Sequence, residues 1–257
     1  MTDHLQLTID AGIARLTIDR PLRRNAFDQA MWTAFPTLVD AAMVDPSVRV
    51  LIVAAGDDGA FCAGADIAEF AAASRDPAWR RVNQAAIRST QVTLAHAPKP
   101  TIAMIEGDCI GGGCGIALAC DMRIAGPRAR FGITPAKLGL VYPLHDTRLL
   151  VDLVGPAQAR RMLYTARLID AEEAVRIGLI EELSPNPAET VAQIAADILA
   201  TSPQSQRASK AIIRRILDGA IDDDASSAAQ FDAAFVSADF IEGVTAFLGK
   251  RPARFGR

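Results

Sequence analysis

Histidine, tyrosine and tryptophan are scarce in this chain, and it has no long basic run. Only three histidines, His4, His96 and His145, are spread over 257 residues, with two tyrosines and two tryptophans. The four cysteines, Cys62, Cys109, Cys114 and Cys120, include no CxxC pair and lie in apolar or glycine-rich surroundings. That excludes a disulfide framework and leaves no cysteine–histidine metal site; buried free thiols are expected. Lysine and arginine total 27 against 30 acidic residues, a net charge of −3, with no basic stretch of the length that nucleic acid or a membrane surface requires. The longest apolar runs are too short to span a bilayer. Met1-Thr-Asp-His carries no leader pattern, so a cytoplasmic protein is expected.

Glycine is plentiful, but not in the arrangements of three common motifs. A dinucleotide fingerprint begun at Gly111 or Gly113 would need glycine at 116 or 118, where Ile116 and Leu118 stand. The one Gly-Lys pair, Gly249-Lys250, is followed by Arg251 and makes no Walker loop. No serine is flanked by glycine two residues away on both sides, so there is no nucleophile elbow.

What the chain does have is alternation between strands and helices. Leu5 to Asp10 and Ile13 to Asp19 alternate around Ala11-Gly12 as a hairpin. Met31, Phe35, Leu38, Val39 and Ala42 share a helical face that Pro36 is expected to kink or split. Val48 to Ala54 is a continuous apolar strand, the kind covered on both faces. Gly56 to Ala60 is a turn leading to Phe61-Cys-Ala-Gly-Ala-Asp66. Ile67 to Ala73 and Val82 to His96 are helices. Phe131 to Asp146 reads as mostly irregular, with Asp146 capping a helix over Thr147 to Leu153. Asp170 and Glu173 form a capping-box pair, the helix after them ends at Gly178, and Leu179 to Leu183 is a short strand. From Ala188 onward the pattern is helical, with Ser202-Pro203 opening the helix of Ala208, Ile212 and Ile216. The total indicates α/β layers with a helical C-terminal region.

The densest information lies between Lys99 and Gly126. A strand, Thr101 to Ile105, runs into Gly111-Gly112-Gly113 and Gly115. A small-residue helix, Ile116 to Cys120, and a second strand, Met122 to Ala125, follow. Strand, glycine turn and helix in that order leave unpaired backbone N–H groups at a helix N-terminus, with the helix dipole behind them. Absent Cβ atoms let a ligand oxygen come close. The arrangement suits an anion or oxyanion site; tight helix–strand packing is the other reading of the same glycines.

Two stretches, Phe61-Cys-Ala-Gly-Ala-Asp66-Ile67 and Gly111-Gly-Gly-Cys-Gly115…Cys120-Asp121, together resemble the paired signatures of the crotonase (enoyl-CoA hydratase/isomerase) superfamily. Arg20-Pro21…Asn25-Ala26, Leu168-Ile-Asp-Ala-Glu-Glu-Ala174…Gly178-Leu179 and Glu242-Gly243…Phe247-Leu248…Lys250-Arg251 extend the likeness over nearly the whole chain. The resemblance implies a crotonase-like α/β spiral of ββα turns over residues 1–186. It also implies a helical C-terminal region, 187–257, that trimerises and contacts coenzyme A, with assembly as a homotrimer or a dimer of trimers. It implies an acyl-CoA thioester as the ligand, with coenzyme A as part of the substrate and no separate cofactor or metal. The thioester carbonyl would lie between the amides of Ala65 and Gly112; one preorganised donor of this kind contributes ~3–4 kcal/mol to an enolate-like transition state. Coenzyme A contacts map onto Leu22 to Arg24, Ala63, Asp66 and Ile67, with Phe247 and Lys250 supplied by a neighbouring subunit. For Arg24 the alternative is solvated surface charge.

The chain departs from the hydratase pattern at two positions. Where hydratases of this family carry glutamates there stand Gly115 and Pro135, which can neither activate water nor protonate carbon. Poor hydratase activity is therefore expected, and isomerisation that needs the second glutamate is affected alike. Thr134-Pro135…Leu138-Gly139…Tyr142 partly resembles methylmalonyl-CoA decarboxylase, whose pocket tyrosine maps onto Tyr142 and whose histidine position holds Ala65. Loss of CO₂ forms an enolate without a base, so decarboxylation suits this inventory. Tyr142, His145 and Asp146 lie in the stretch that the fold should bring near the acyl end of the pocket, with plainer readings as a core aromatic, a surface or capping histidine and a helix cap. Asp66, Asp121, Glu106 and Asp108 read as structural, the last two as partners of the glycine loop. An acyl-CoA-binding protein without catalysis is the reading from a different class.

Overall fold

The computed structural model describes residues 2–57 and 59–255; Met1 and Asp58, the latter in the expected Gly56–Ala60 turn, lie outside the described residues. The N-terminal hairpin forms as expected. Strands β1 (Leu5–Asp10) and β2 (Ile13–Ile18) pair antiparallel from Leu5 opposite Ile18 to Asp10 opposite Ile13. Ala11 and Gly12 between them both have positive φ, +46° and +87°, the twist that a two-residue hairpin turn favours.

Helix α1 (Gln29–Val44) starts at Asp28, whose side chain accepts the Met31 amide at 2.9 Å. Pro36 lies inside it, and the expected split does not occur. Pro36 has no N–H for the carbonyl of Trp32; the Thr90 hydroxyl donates to that carbonyl instead, at 2.9 Å. Strand β3 (Val50–Ala55), helix α2 (Ile67–Ala73) and helix α3 (Pro77–Ala95) follow, α3 starting earlier than its apolar periodicity suggested because Asp76 caps it and Pro77 opens it.

Next come β4 (Thr101–Ile105), β5 (Asp108–Ile110), α4 (Gly112–Ala119), β6 (Met122–Ala125) and β7 (Arg130–Gly132). The helix of the glycine cluster thus begins at Gly112 rather than at Ile116: the glycines are its first turn, not a loop before it. After a 3-10 turn at Pro135–Leu138 runs α5 (Leu144–Thr165), broken at Gly155, where φ is +70°. Asp146 is therefore not an N-cap but a buried residue inside the first turn. The remaining elements are β8 (Ile169–Asp170), α6 (Ala171–Arg176), β9 (Glu182–Leu183), α7 (Pro187–Leu199), α8 (Pro203–Leu217), α9 (Ala225–Phe235) and α10 (Ala238–Leu248). Only half of the expected capping box is made. Asp170 accepts the Glu173 amide at 2.8 Å, but the Glu173 carboxylate turns to Arg176 and Arg161. The strand expected from Leu179 is confined to β9.

The large sheet has the order β1-β2-β3-β4-β6-β9, parallel from β2 onward; the small sheet is β5-β7-β8, extended by a bridge between Cys62 and Cys109. Each turn of the chain thus adds one segment to the large sheet, one to the small sheet, and then a helix: β3, Cys62 and α3; β4, β5 and α4; β6, β7 and α5. This is the spiral of ββα turns that the sequence led us to expect.

The unbroken apolar strands show why both faces are covered. In β3 and β4, Leu51, Val53, Ala103 and Ile105 face the main core with α1 and α4, while Val50, Ile52, Ile102 and Met104 face a second core with Val191 and Ala195 of α7. The carboxyl end of α4 is held by Arg123, a buried side chain on β6. It donates to the carbonyls of Cys120 (2.7 Å), Ala117 (3.3 Å) and Leu179 (3.0 Å) and pairs with Glu181. Among the described residues no helix is long and apolar enough to cross a membrane.

Candidate active site

Two backbone segments from successive turns of the spiral face each other at the start of α4. The first, Cys62 to Asp66, is tied down on both sides: Phe27 donates to the Gly64 carbonyl at 2.8 Å and Asp66 to the Phe27 carbonyl at 2.8 Å. The second, Ile110 to Gly112, is fixed by Ile110 donating to Cys62 (2.9 Å) and Gly111 donating to Gly132 (2.8 Å). Gly64 has φ of +100°, and a Cβ there would stand 3.0 Å from the Ile110 carbonyl and 3.4 Å from the Gly112 nitrogen. A Cβ on Gly112 would lie 3.8 Å from the Ala65 nitrogen and 2.9 Å from the Trp32 ring. Gly113 packs so tightly on Cys62 that its Cβ would overlap the Cys62 carbonyl. Among the described residues neither the Ala65 nor the Gly112 amide has an acceptor. Gly112 opens α4, where N–H groups have no partner within the helix. Trp32, with Phe27 at 4.6 Å between ring centroids, forms the apolar wall beside Gly112.

One helical turn further along α4 stands Gly115. A Cβ there would overlap the buried Gln91 carboxamide and come within 3.2 Å of the Tyr142 hydroxyl. Around this point, among the described residues, Tyr142 Oη is buried without a hydrogen-bond partner, while the buried Gln91 and Asp146 side chains lie beside each other without well-formed hydrogen-bond geometry. Burial pushes the Tyr142 hydroxyl well above its ordinary range, with nearby Cys114, Asp146 and Cys109 adding to it. Burial also lifts the Asp146 carboxyl to about 7, opposed by the Gln91 side chain. The thiols follow the same rule: desolvation raises Cys62 and Cys120 to about 12, so they are inert at neutral pH.

His145 shares this stretch but faces a different neighbourhood. Burial lowers its pKa, and the charges acting on it come from Arg88, His96, Arg214 and Arg148. The plainer readings of Asp66 and Asp121 hold. Asp66 caps α2 through the Ala68 amide (3.0 Å) and pairs with Arg20 (2.9 Å), while Asp121 joins Thr101 (2.8 Å) and Lys210 (2.6 Å). Asp108 does not bond the glycine loop; it pairs with Arg24 and, at 2.7 Å, with Arg130. These groups line a cleft of about 480 Å³ that also includes Asn25 and Arg128. Leu22 and Ile67 are exposed, and the Ala63 amide is used within the chain, donating to the Arg24 carbonyl at 3.0 Å. Phe247 and Lys250 lie at the exposed end of α10, where Phe247 borders an apolar cleft between α8, α9 and α10.

Gln91 is not singled out by the sequence, and Asp146, which lies in the same stretch as Tyr142 and His145, is expected there to cap a helix. A signal for Gln91 existed: the buried face of α3 carries Asn83, Thr90 and Gln91 beside Leu94, polar residues where a core helix would place hydrophobic ones.

Comparison with known proteins bears on these features as a set. Residues 8–257 match the family described as Enoyl-CoA hydratase/isomerase. Crotonyl-CoA hydratase of Syntrophomonas wolfei is 36% identical over 262 residues, 98% of this chain and 98% of that protein. The mitochondrial methylglutaconyl-CoA hydratase of Mus musculus is 32% identical, over 95% of this chain and 79% of its own length. Among solved structures, an enoyl-CoA hydratase/isomerase family protein from Hyphomonas neptunium superposes with a TM-score of 0.95 at 41% identity, covering 98% of this chain and 97% of the other. An enoyl-CoA hydratase/carnithine racemase from Magnetospirillum magneticum gives 0.94 at 30% identity, covering 99% and 96%.

Proposed function

The chain belongs to the enoyl-CoA hydratase/isomerase family, and on that premise we propose that it acts on an acyl-CoA thioester by stabilising its enolate between the amides of Ala65 and Gly112. The observation that carries this reading is the pair of amides, Ala65 and Gly112, that have no acceptor among the described residues and stand on two closely packed segments. A negative charge developing on the thioester oxygen would meet donors already in place, backed by the α4 dipole. The Arg24, Arg128 and Arg130 cleft suits the phosphates of coenzyme A, with Asp108 fixing the guanidinium groups of Arg24 and Arg130. The exposed apolar side chains Ile212, Ile216, Phe231, Phe240 and Phe247 support assembly of α8 to α10 with copies of the chain, which would bring Phe247 and Lys250 to a neighbour's ligand.

Within the family's chemistry this chain is a weak hydratase, because Gly115 and Pro135 leave no glutamate pair to handle water and the α-carbon. A crotonyl-CoA hydration assay against a conventional hydratase tests this: turnover at least a hundredfold lower is expected, and comparable turnover overturns it. Decarboxylation of a malonyl-type thioester is the second reading, favoured by the Tyr142 hydroxyl standing unpartnered over Gly115. Release of CO₂ from methylmalonyl-CoA that disappears in Tyr142→Phe supports it. Tight binding of coenzyme A esters with no turnover across a broad panel favours the binding-only alternative instead.

A further inference from the structure

We propose that Gln91 sets the length of acyl chain that this site accepts: its carboxamide closes the acyl end over Gly115 and confines the ligand to short acyl groups. The inference rests on the acyl-CoA reading above and adds the size of the group that the thioester carries.

Direction comes first. The arginine cleft is lined by Gly107 and Asp108, just ahead of the glycine turn, and Ala63, two residues from Ala65, donates to the Arg24 carbonyl at 3.0 Å. With coenzyme A leaving on that side of a carbonyl held by Ala65 and Gly112, the acyl group leaves on the other, along α4. Trp32 closes one flank, its ring 2.9 Å from where a Gly112 Cβ would stand. Residues three apart on a helix share a face, about 5–6 Å between their side-chain positions. Gly115 is therefore the next position along that face. The same about 5–6 Å spans roughly four carbons of an extended acyl chain.

The space over Gly115 is already taken. A Cβ at 115 would overlap the Gln91 amide nitrogen and would stand 3.2 Å from both Gln91 Cδ and Tyr142 Oη. The glycine thus makes room for a side chain that arrives from α3. Gln91 is 1% exposed, and the Asp146 side chain beside it is equally buried. Of the two groups at this point, Gln91 fills the space and Tyr142 borders it. An acyl chain that reaches Gly115 meets packed protein, and forcing extra methylenes into filled space is unfavourable. Bulk from a neighbouring helix therefore does here what a side chain at 115 would otherwise do: it ends the pocket.

The test is calorimetric binding of butyryl-CoA, hexanoyl-CoA and octanoyl-CoA to the wild-type chain, Gln91→Ala and Gln91→Met. Wild type is expected to bind hexanoyl-CoA at least about fivefold more weakly than butyryl-CoA, and octanoyl-CoA more weakly still. Gln91→Ala removes the carboxamide and the methylene that carries it, and should reverse the order. Each newly buried methylene tightens binding about fourfold, so hexanoyl-CoA should bind this variant roughly tenfold more tightly than butyryl-CoA. Gln91→Met refills the space without the amide and should keep the wild-type order; a merely structural role would not make the order follow side-chain size. A wild type that binds hexanoyl-CoA as tightly as butyryl-CoA overturns the proposal. So does a folded Gln91→Ala that keeps the wild-type order, or a Gln91→Met that loses it. A wild type that binds none of these esters, nor acetyl-CoA, overturns the acyl-CoA reading itself. Thermal unfolding shows which variants fold, and Gln91→Ser, also smaller than glutamine, replaces Gln91→Ala if alanine does not.

Discussion

The Thr90 hydroxyl donates at 2.9 Å to the one carbonyl in α1, that of Trp32, that Pro36 deprives of its helical N–H. A defect in one helix is thus repaired by a side chain on another, and the repair sits next to the tryptophan that walls the candidate site.

Replacing Thr90 by valine removes the donor but keeps the shape. The buried Trp32 carbonyl is left unpaired, and a loss of ~1–3 kcal/mol is expected in urea unfolding. Adding Pro36→Ala supplies the missing N–H, so the double variant should regain most of that loss. A double variant no more stable than Thr90→Val would show that the carbonyl is solvated in some other way.

Gly113 and Gly111 make a matched pair of tests. Alanine at 113 has favourable helical backbone, worth about 1 kcal/mol over glycine, but its Cβ would overlap the Cys62 carbonyl. We expect the clash to win, with Gly113→Ala losing both stability and ligand binding. Gly111 has open space, its nearest Cβ neighbour being 3.8 Å away, but φ is +57°. Because ψ of −116° places Gly111 outside the left-handed helical region, Gly111→Ala should cost ~1–3 kcal/mol, which comparison of the two denaturation midpoints will check.

Arg123→Met keeps the stem and removes the guanidinium that serves the carbonyls at the end of α4. Glu181 is partly exposed and can turn to water, but the carbonyls of Ala117, Cys120 and Leu179 lose their shared donor. A destabilisation of ~3 kcal/mol is expected by chemical denaturation. An effect below 1 kcal/mol would mean that water replaces the guanidinium.

The folded chain holds the Asp146 proton up to pH about 7, whereas the unfolded chain releases it near 3.8. Folded protein binds more protons across that window, so this residue's contribution to stability falls as pH rises through it. Asp146→Asn removes the effect. Its advantage over wild type should grow by roughly 2–3 kcal/mol between pH 5 and pH 8. An advantage independent of pH would place the carboxyl in contact with water.

Much of this was visible before any coordinates. The alternation of Leu5 to Ile18, the unbroken β3 and β4 runs and the Ser202-Pro203 start are local signals, set by side-chain period and capping chemistry. The pairing of Ala65 with Gly112 followed from the family resemblance, since the glycines by themselves suit tight packing as well as an anion site. What stayed hidden depends on packing between distant segments. Pro36 broke a local rule that Thr90, far away in sequence, repairs. Asp146 reads as an N-cap in sequence, yet Pro143 takes that place and Asp146 lies inside the first turn. Arg123, inside a short apolar strand, gave no sign that its guanidinium would be buried under the end of α4.

The occupied space at Gly115 has an evolutionary reading. A glutamate there would have to evict the Gln91 amide from the protein interior, and eviction would also undo whatever Gln91 does for Asp146. Placing a glutamate at 115 therefore takes linked changes on two helices, beside a separate replacement of Pro135. A laboratory selection for crotonyl-CoA hydration should recover changes at 91 and 115 together, with position 135 changing besides.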